Sequence, residues 1–423
     1  MISLSSRKRK NGPDDKNCTE SPHIRRKIGT NFQIVEDCTE SNLSPSSLGI
    51  SDLLSLLDFS AISTSKDIAD RFDTIAETIL HGFMLRVYDA HSSAEEGKTV
   101  VVDFEVLELE CYLYMPEIHE DPFTHGSEEQ KWSGRWYFHR APRRTPAPSS
   151  TASTSATSRV PTAAGGYRGG TRKGLDLTLG GPATTVTSHY FPAPKELARG
   201  GALLRTIRRV SDGKVVSGPS LLVDEILRLS DASNIADLVN MKWDGNTNAV
   251  SSSPITAGPT LRLCPVGQLE MQQHKPTVYQ SPRIGLDLSH SSIPLPILPS
   301  YAATLINPRV SFISCSYRYF VHPHLLTVNG RGHTFFGVYR TLVDAEDRLS
   351  DKNVANELVR LMGLKSPTVT KYLEEYRTSL EKGDLAAFIG AKGKGAGSTP
   401  VSFLRMMATL ERLRLQANSA LSQ

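Results

Sequence analysis

The chain has 423 residues, of which 39% are hydrophobic, 7% aromatic and 22% charged, with 31 glycines and 25 prolines. This length allows two or three domains, and the low apolar share predicts a globular body diluted by polar, unfolded segments. No apolar stretch approaches the ~18 residues of a membrane helix, and the start MISLSSRKRKNGPDD lacks the apolar core of a signal peptide. We therefore expect neither a membrane-spanning nor a secreted protein.

The cysteines and the net charge further narrow the class of protein that the sequence can encode. Five cysteines are scattered along the chain without a CxxC pair, which favours neither a disulfide framework nor a zinc site. We expect a reducing intracellular compartment, no metal and no cofactor. The formal net charge of +4 is compatible with a nucleic-acid partner without requiring one.

Residues 1–60 look like a basic, disordered arm. Two basic clusters, at 7–10 and 25–27, lie in a background of Ser, Thr, Asn and Asp that cannot bury a core. Clusters with this spacing are typical of a bipartite nuclear-import signal, and a solvated tail with chance clustering is the alternative. The predicted localisation is the nucleus.

A helix and two strands are predicted next. Residues 68–87 have apolar positions at helical spacing that become strand-like from residue 83. Residues 99–114 alternate and are rich in β-branched and aromatic side chains, which predicts a long strand. Because side chains alternate across a strand, Glu108 and Glu110 share one face, with Tyr112 at the next step. Two carboxylates on one face of an apolar strand are unusual.

The middle of the chain contains an insertion. Residues 141–166 are almost wholly Ala, Ser, Thr, Pro and Gly, and both flanks look folded, which predicts a low-complexity surface loop within one domain. Residues 200–210 then predict a buried strand with a basic end. The Ser-Gly-Pro sequence at 217–219 begins an amphipathic helix.

The C-terminal region, 340–423, is helical by pattern. Residues 353–376 are spaced as in a helix-turn-helix around Gly363, although an ordinary helical hairpin is the favoured interpretation. The stretch KGKGAGS at 392–398 could contact phosphate, and a flexible linker explains it equally well. We predict an α+β fold with a curved, mainly antiparallel sheet, flanking helices and a helical C-terminal extension.

Five blocks between about residues 72 and 322 resemble, in the same order, the methylpurine (3-methyladenine or alkyladenine) DNA glycosylases. The blocks are FDTIAETILHGFMLRV, LELECYLYMPEIHEDPFTH, GALLRTIRRV, SGPSLLVDEI, and PRIGLDL with YRYFV. The resemblance implies a glycosylase-like domain over residues 68–330. It also implies a monomeric base-excision repair hydrolase that flips an alkylated or deaminated purine out of double-stranded DNA and cuts its N-glycosidic bond.

The resemblance also assigns roles to residues. Glu110 stands where the family has its general base, and Arg205 stands near the DNA backbone or the catalytic water. Tyr112 and His125 correspond to residues that pack against the flipped base. The aromatic run of the family, ending in Tyr-Gly-Met and followed by an Asn, is replaced here by GRWYFHR, the insertion and RKGLDLTLG. Tyr137 or His139 then supplies the missing ring.

The residues support this chemistry without the family. A carboxylate stabilises the oxocarbenium-like state of glycosidic-bond hydrolysis and deprotonates water. Aromatic rings bind an electron-poor purine by stacking and cation–π attraction. Basic residues that bind phosphate give salt-dependent affinity. We expect five of them to contact DNA beside these rings: Arg135, Arg140, Arg168, Arg172 and Lys173.

Structural alternatives exist for each residue and for the function. Glu108 is expected to face solvent or form an ion pair, Tyr112 could be a core aromatic, and Arg205 could belong to a buried ion pair. A non-catalytic nuclear nucleic-acid-binding protein on the same fold is the second functional hypothesis, favoured by the altered block at 174–180. An interaction scaffold that uses the Ser-rich loops is the third.

Overall fold

The computed structural model describes residues 49–89, 100–141, 166–183, 198–250, 260–267, 275–296, 301–326, 328–345 and 351–421. All of them belong to one of the two units into which the chain divides, Ser47–Gln423. Both basic clusters of the predicted arm, and residues 142–165 of the predicted insertion, lie outside the described residues. No helix in the described ranges is long and apolar enough to cross a membrane.

A ten-stranded, curled sheet forms the centre of the fold, and each pairing between its described strands is antiparallel. The hydrogen-bonded order is β4-β5-β6-β2-β1-β8, with β3 and β10 also paired to β2, β7 to β6, and β9 to β10. The strands are β1 (Phe83–Asp89), β2 (Val100–Met115), β3 (His119–Glu120), β4 (Trp136–Phe138), β5 (Leu175–Leu179), β6 (Arg199–Arg209), β7 (Val215–Ser217), β8 (Leu261–Pro265), β9 (Tyr279–Ser281) and β10 (Arg318–Phe320).

Helices flank the sheet and follow it in the chain, so the predicted α+β fold is confirmed. The α-helices are α1 (Ile50–Leu57), α2 (Ser65–Gly82), α3 (Pro219–Leu229), α4 (Ala302–Leu305), α5 (Pro308–Phe312), α6 (Arg331–Ala345), α7 (Asp351–Met362), α8 (Ser366–Lys382) and α9 (Pro400–Leu421). Short 3₁₀ turns cover Glu128–Lys131, Gly170–Arg172, Pro323–Leu325, Leu385–Ala387 and Gly390–Gly393, and a π-helix covers Asp237–Lys242.

The first hydrophobic core lies between α2 and β2. Thr64 caps α2, since its side chain accepts a hydrogen bond from the Asp67 backbone N–H. The apolar residues of α2 recur at helical spacing and are buried on the sheet, where Leu109, Cys111 and Leu113 of β2 meet them. The helix and the long strand predicted here are confirmed.

A second core joins the C-terminal helices to the sheet. Tyr279 of β9 and Phe320 of β10 are buried in one cluster with apolar residues of α6–α9. Helix α6 begins at Arg331, before the predicted start of the helical region at residue 340. Helices α7 and α8 pack as a hairpin around Gly363, whose φ of +63° a glycine adopts without strain.

His333 ties this second core to the polar face of the sheet. Its ring is 2% exposed and stacks on Phe403 of α9 with 3.6 Å between ring centroids. Burial, together with the positive charges of Arg318 and Arg205, holds the pKa of His333 well below its ordinary value of 6.5. The folded protein therefore keeps this imidazole neutral.

The two ends of the predicted insertion meet in space. The Ala141 backbone N–H donates to the Gly166 carbonyl at 2.8 Å, and Arg140 and Tyr167 form a bridge beside it. We expect replacement of residues 142–165 by a short Gly-Ser turn to change the melting temperature little, since loop-closure free energy changes by only about 0.6 kcal/mol per doubling of loop length. Calorimetry checks this, and insoluble expression of the deletion would contradict it.

The neutral state of His333 predicts a pH dependence of stability. Below about pH 6.5 this histidine takes up a proton in the unfolded chain but not in the folded chain. The contribution of His333 to the free energy of unfolding is therefore fully present above that pH and is lost as the pH falls. Between pH 6.5 and 5.5, wild type should lose up to about 1.4 kcal/mol of its free energy of unfolding through this group. His333→Phe keeps the aromatic stack on Phe403 and should not show this part of the loss. Urea unfolding measures this, with the exposed His290→Phe as control. Equal slopes for wild type and His333→Phe would refute the assignment.

Candidate active site

Charged side chains collect on the face of β2 that points away from the first core. Strands β6 and β10 flank β2 on its two sides, with Leu203 and Arg318 both opposite Glu110. Glu108 and Glu110 both reach Arg205 of β6, so the two carboxylates share one face as predicted. Pairing of three strands therefore brings two acids and two arginines together.

Glu108 is the fully buried member of this group. It is 1% exposed, and its Oε1 accepts from Arg318 Nε at 2.6 Å and from Arg205 Nε at 3.1 Å. Thr206 Oγ1 donates to its Oε2 at 2.5 Å. Burial alone raises the pKa of Glu108, but Arg318 and Arg205 outweigh it and the pKa ends below its ordinary value. Of the two alternatives from the sequence, Glu108 forms the ion pair.

Glu110 is held from two directions. It is 4% exposed; its Oε2 accepts from Arg205 Nη1 at 3.1 Å, and its Oε1 accepts from the Ile284 backbone N–H at 2.7 Å. A carboxylate has about four lone-pair sites, so these two bonds fix the group and leave acceptor capacity on both oxygens. The ion pair expected for Arg205 is present, and it includes the candidate general base.

A cavity of about 540 Å³ opens beside this group, and Glu110 itself is not among its lining residues. Arg205 and Ile284, the two residues that hold the carboxylate, both line it. Its other walls come from the start of α3, from the segment before α6 and from the glycine-rich stretch 392–398. This stretch is tied down, since the Gly395 N–H donates to Asp287 Oδ2 at 3.1 Å. The C-terminal region thus contributes directly to the candidate site.

A second polar group surrounds Tyr112 on the same face. Its hydroxyl bonds Asp176 Oδ2 of β5 and accepts from Gln130 Nε2 at 2.6 Å. The Tyr112 ring passes over β6 at Gly201, where a Cβ atom on residue 201 would lie 2.9 Å from the Tyr112 hydroxyl oxygen. Burial, and then the charge of Asp176, raise the pKa of Tyr112. Tyr112 is therefore a buried aromatic with a satisfied hydroxyl.

His139 completes this network, which we call the Asp176 cluster: Tyr112, His125, Gln130, Tyr137, His139 and Asp176. His139 Nε2 lies 3.2 Å from both Asp176 oxygens. The ring rests against Gly174, where any Cβ would collide with it. This close approach explains why a glycine stands at this position of the altered block.

His125 forms the outer side of the cluster. Its ring centroid lies 4.3 Å from that of His139 and 5.8 Å from that of Tyr112, in an edge contact. His125 is exposed as a residue, yet the loss of water around its ring, with His139 beside it, lowers its pKa to about 4. The four predicted base-binding residues thus lie together. They contact one another, so a purine between His125 and His139 requires these rings to separate.

The five predicted DNA-binding residues lie on or near the β4–β5 hairpin, and two of them have acidic partners. Arg140 pairs with Glu129 at 2.5 Å and stacks on the Tyr167 ring at 3.7 Å, while Lys173 pairs with Asp224 of α3. Arg168 Nε donates to the Arg140 carbonyl at 2.8 Å, Arg135 is half-buried, and Arg172 is exposed. Their contact with DNA stays a prediction.

The sequence reasoning missed Asp176, Gln130 and Arg318. The signal that pointed to Glu110 was a charged residue inside an apolar strand. Asp176, in LDLTL, and Arg318, in YRYF, show the same signal and could have been found by it. Nearby, His119 bonds the Leu113 carbonyl and the Tyr317 hydroxyl, and Asp121 pairs with Arg283. In the ranges that the structure describes, no group of three His, Cys, Asp or Glu could hold a metal ion.

Comparison with known proteins leaves the function open. No family model matches the chain, and no solved structure matches it. The chain is similar to the uncharacterized protein L759 of Acanthamoeba polyphaga mimivirus, with 28% identity over 179 residues that cover 38% of this chain and 68% of the relative. The geometry of the site is therefore the basis for any functional proposal.

The two glutamates should differ in their effect on stability. Glu108→Gln leaves Arg318 and part of Arg205 without a countercharge in a buried site, so we expect a loss of about 3 kcal/mol in the free energy of unfolding. Glu110→Gln leaves Glu108 to pair with Arg205, and we expect a loss of about 1 kcal/mol. Urea denaturation compares the two variants. A larger loss for Glu110→Gln would show that the ion pairs are assigned to the wrong carboxylate.

Proposed function

We propose that this protein is a monofunctional DNA glycosylase that hydrolyses the N-glycosidic bond of alkylated or deaminated purines in double-stranded DNA. The observation that carries the proposal is the Glu110 carboxylate, held by Arg205 and by the N–H of Ile284, the two residues through which it is linked to an open cavity that both of them line. A fixed carboxylate that retains acceptor capacity next to ligand space is what activation of a water molecule requires.

In the proposed reaction, Glu110 acts as the general base. As the bond between C1′ and the purine nitrogen breaks, its electron pair leaves with the base and positive charge develops on the sugar. The water oxygen bonds to C1′, and its proton passes to Glu110. Arg205 and the Ile284 amide hold the carboxylate in place, so that little reorganisation is needed during the reaction.

The cavity has a size that suits one extruded nucleotide. Its volume of about 540 Å³ falls within the range of small-molecule sites, about 300–1,000 Å³. A purine must leave the helical stack to reach such a site, so base flipping is part of the proposal. Leu221 and Val328 line the same cavity and are 57% and 78% exposed. Exposed apolar side chains in this position are suited to contact unstacked bases.

A second candidate function is non-catalytic binding of nucleic acid on the same fold. The Asp176 cluster favours it, because its rings contact one another and leave no gap in which a base is already accommodated. The nuclear localisation proposed from the two basic clusters is common to both functions. Release of a base distinguishes them.

Glu110→Gln tests the enzymatic proposal. Wild-type protein is incubated with duplexes that contain hypoxanthine, ethenoadenine or 7-methylguanine, and alkali then cleaves the abasic sites. The amide keeps the shape but cannot take a proton, so we expect the single-turnover rate to fall about 100-fold or more while duplex affinity is nearly unchanged. Glu105→Gln, a partly exposed residue on the same strand, is the matched control and should keep wild-type rates.

The outcome separates the candidates. Duplex binding by wild-type protein without release of any base would identify a binding protein. Release that persists at the wild-type rate in Glu110→Gln would show that another group activates the water.

A further inference from the structure

The cavity described above lies where three helices begin. Helix α3 starts at Pro219, α6 at Arg331 and α9 at Pro400, and residues at or just before each start line the cavity. The starts of α6 and α9 touch, since a Cβ atom on Gly332 would lie 2.7 Å from Pro400 Cα. Because the N-terminus of a helix has partial positive charge, the three starts together favour an anion in this cavity.

Helix α3 presents backbone donors to the cavity. Its N-cap is Gly218, so no side chain caps it, and Pro219 at its first position has no N–H. The N–H groups of the next two residues, Ser220 and Leu221, have no partner within the helix, because a helix leaves its first four N–H groups unbonded. Both residues line the cavity, and such N–H groups bind phosphate oxygens.

Arg205 is a second, independent indication of a ligand. It is 7% exposed and lines the cavity. Its Nε bonds Glu108 and its Nη1 bonds Glu110, whereas its Nη2 has no hydrogen-bond partner among the described residues. A guanidinium group donates from all three nitrogens, so Nη2 is the donor that remains for a molecule in the cavity.

The glycine-rich stretch at 392–398 forms a fixed wall of this cavity. Its sequence is compatible with a flexible linker as well as with phosphate contact. The Gly390 N–H donates to the Leu288 carbonyl at 3.0 Å, and the Gly395 N–H donates to Asp287 Oδ2 at 3.1 Å. Gly397 lies so close to this segment that a Cβ atom there would be 3.0 Å from the Leu286 carbonyl oxygen. These contacts exclude a flexible linker.

The charges at this wall are compatible with an anion. Asp287 is the acidic residue among the described lining residues, and its oxygens accept hydrogen bonds from Ser289 and Gly395. Burial alone raises the pKa of Asp287, but these bonds and the nearby charge of Lys394 bring it below its ordinary value. Lys394 therefore offsets Asp287, and the exposed Lys392 adds a further positive charge to the stretch.

We propose that the cavity binds a phosphate group between the start of α3 and the glycine-rich stretch that precedes α9. The phosphate oxygens accept hydrogen bonds from the Ser220 and Leu221 N–H groups and from Arg205 Nη2, and the C-terminal region supplies the second wall. This inference goes beyond the proposed function, because binding of a phosphate does not require release of a base. The phosphate belongs either to the backbone of a nucleic-acid strand or to a free nucleotide.

Ser398 allows the charge of the wall to be changed at one position. Its residue is exposed and lines the cavity. Ser398→Asp adds a negative charge, whereas Ser398→Asn adds a side chain of nearly the same shape without charge, so the comparison isolates electrostatic repulsion. An acidic residue just before α9 is favourable to that helix, so we expect both variants to fold. Thermal unfolding followed by circular dichroism checks this.

Two probes distinguish the sources of the phosphate. A short labelled DNA duplex provides phosphodiesters, and deoxyguanosine 5′-monophosphate provides a monoester, with deoxyguanosine as its control without phosphate. We expect Ser398→Asp to bind one of the two phosphate probes about tenfold more weakly than Ser398→Asn, because like charges placed together are strongly unfavourable. The difference should shrink with added salt, which screens the repulsion. Weaker duplex binding identifies a backbone phosphate, and weaker monophosphate binding identifies a free nucleotide.

Equal affinities of the two variants for both phosphate probes would overturn the inference, as would failure of the wild type to bind either probe. Base release by the same wild-type protein is measured separately. Phosphate binding without release of any base would overturn the proposed function and leave this inference in place.

Discussion

The sharing of one guanidinium between two carboxylates organises the polar face of this protein. Arg205 bonds Glu108 through Nε and Glu110 through Nη1, and Arg318 adds a second positive charge at Glu108. Two acids and two arginines in a buried site have no net charge, so their mutual pairing offsets much of the cost of removing them from water. Because they come from three strands, the pairing of β2 with β6 and β10 is a condition for the site.

The same group divides the two acids by their surroundings. Glu108 has both oxygens bonded to arginine or threonine side chains within the sheet, and it serves the structure. Glu110 is bonded by one arginine and by the Ile284 backbone N–H, both of which line the cavity. Glu108 and Glu110 are chemically identical and lie one pleat apart on β2. Glu108 forms a structural ion pair, whereas Glu110 is the candidate general base.

The C-terminal region belongs to the site as well as to the fold. Its helices share a core with Tyr279 and Phe320 of the sheet, and the glycine-rich stretch forms part of the cavity wall. His333 connects the two, since it stacks on Phe403 and lies close enough to Arg318 and Arg205 for their charge to lower its pKa. The helical core and the residues that hold Glu110 are therefore neighbours in the fold.

The sequence by itself determined the elements whose pattern is local. The alternation in β2 predicted a strand with Glu108, Glu110 and Tyr112 on one face, and the apolar spacing before it predicted helix α2; the structure confirms both. Side-chain periodicity follows from backbone geometry within a few residues, so one segment contains the information.

Only the tertiary structure decided which of these residues meet. Glu108 meets Arg318 across 210 positions of the chain, Glu110 meets the Ile284 amide across 174, and Tyr112 meets Asp176 across 64. Those contacts depend on strand register and on Gly201, which lets the Tyr112 ring cross β6. Asp176 was visible as an acid in an apolar strand, but its role follows from its neighbours. Strand partners are set by the burial of apolar faces over the whole domain, which no local pattern encodes.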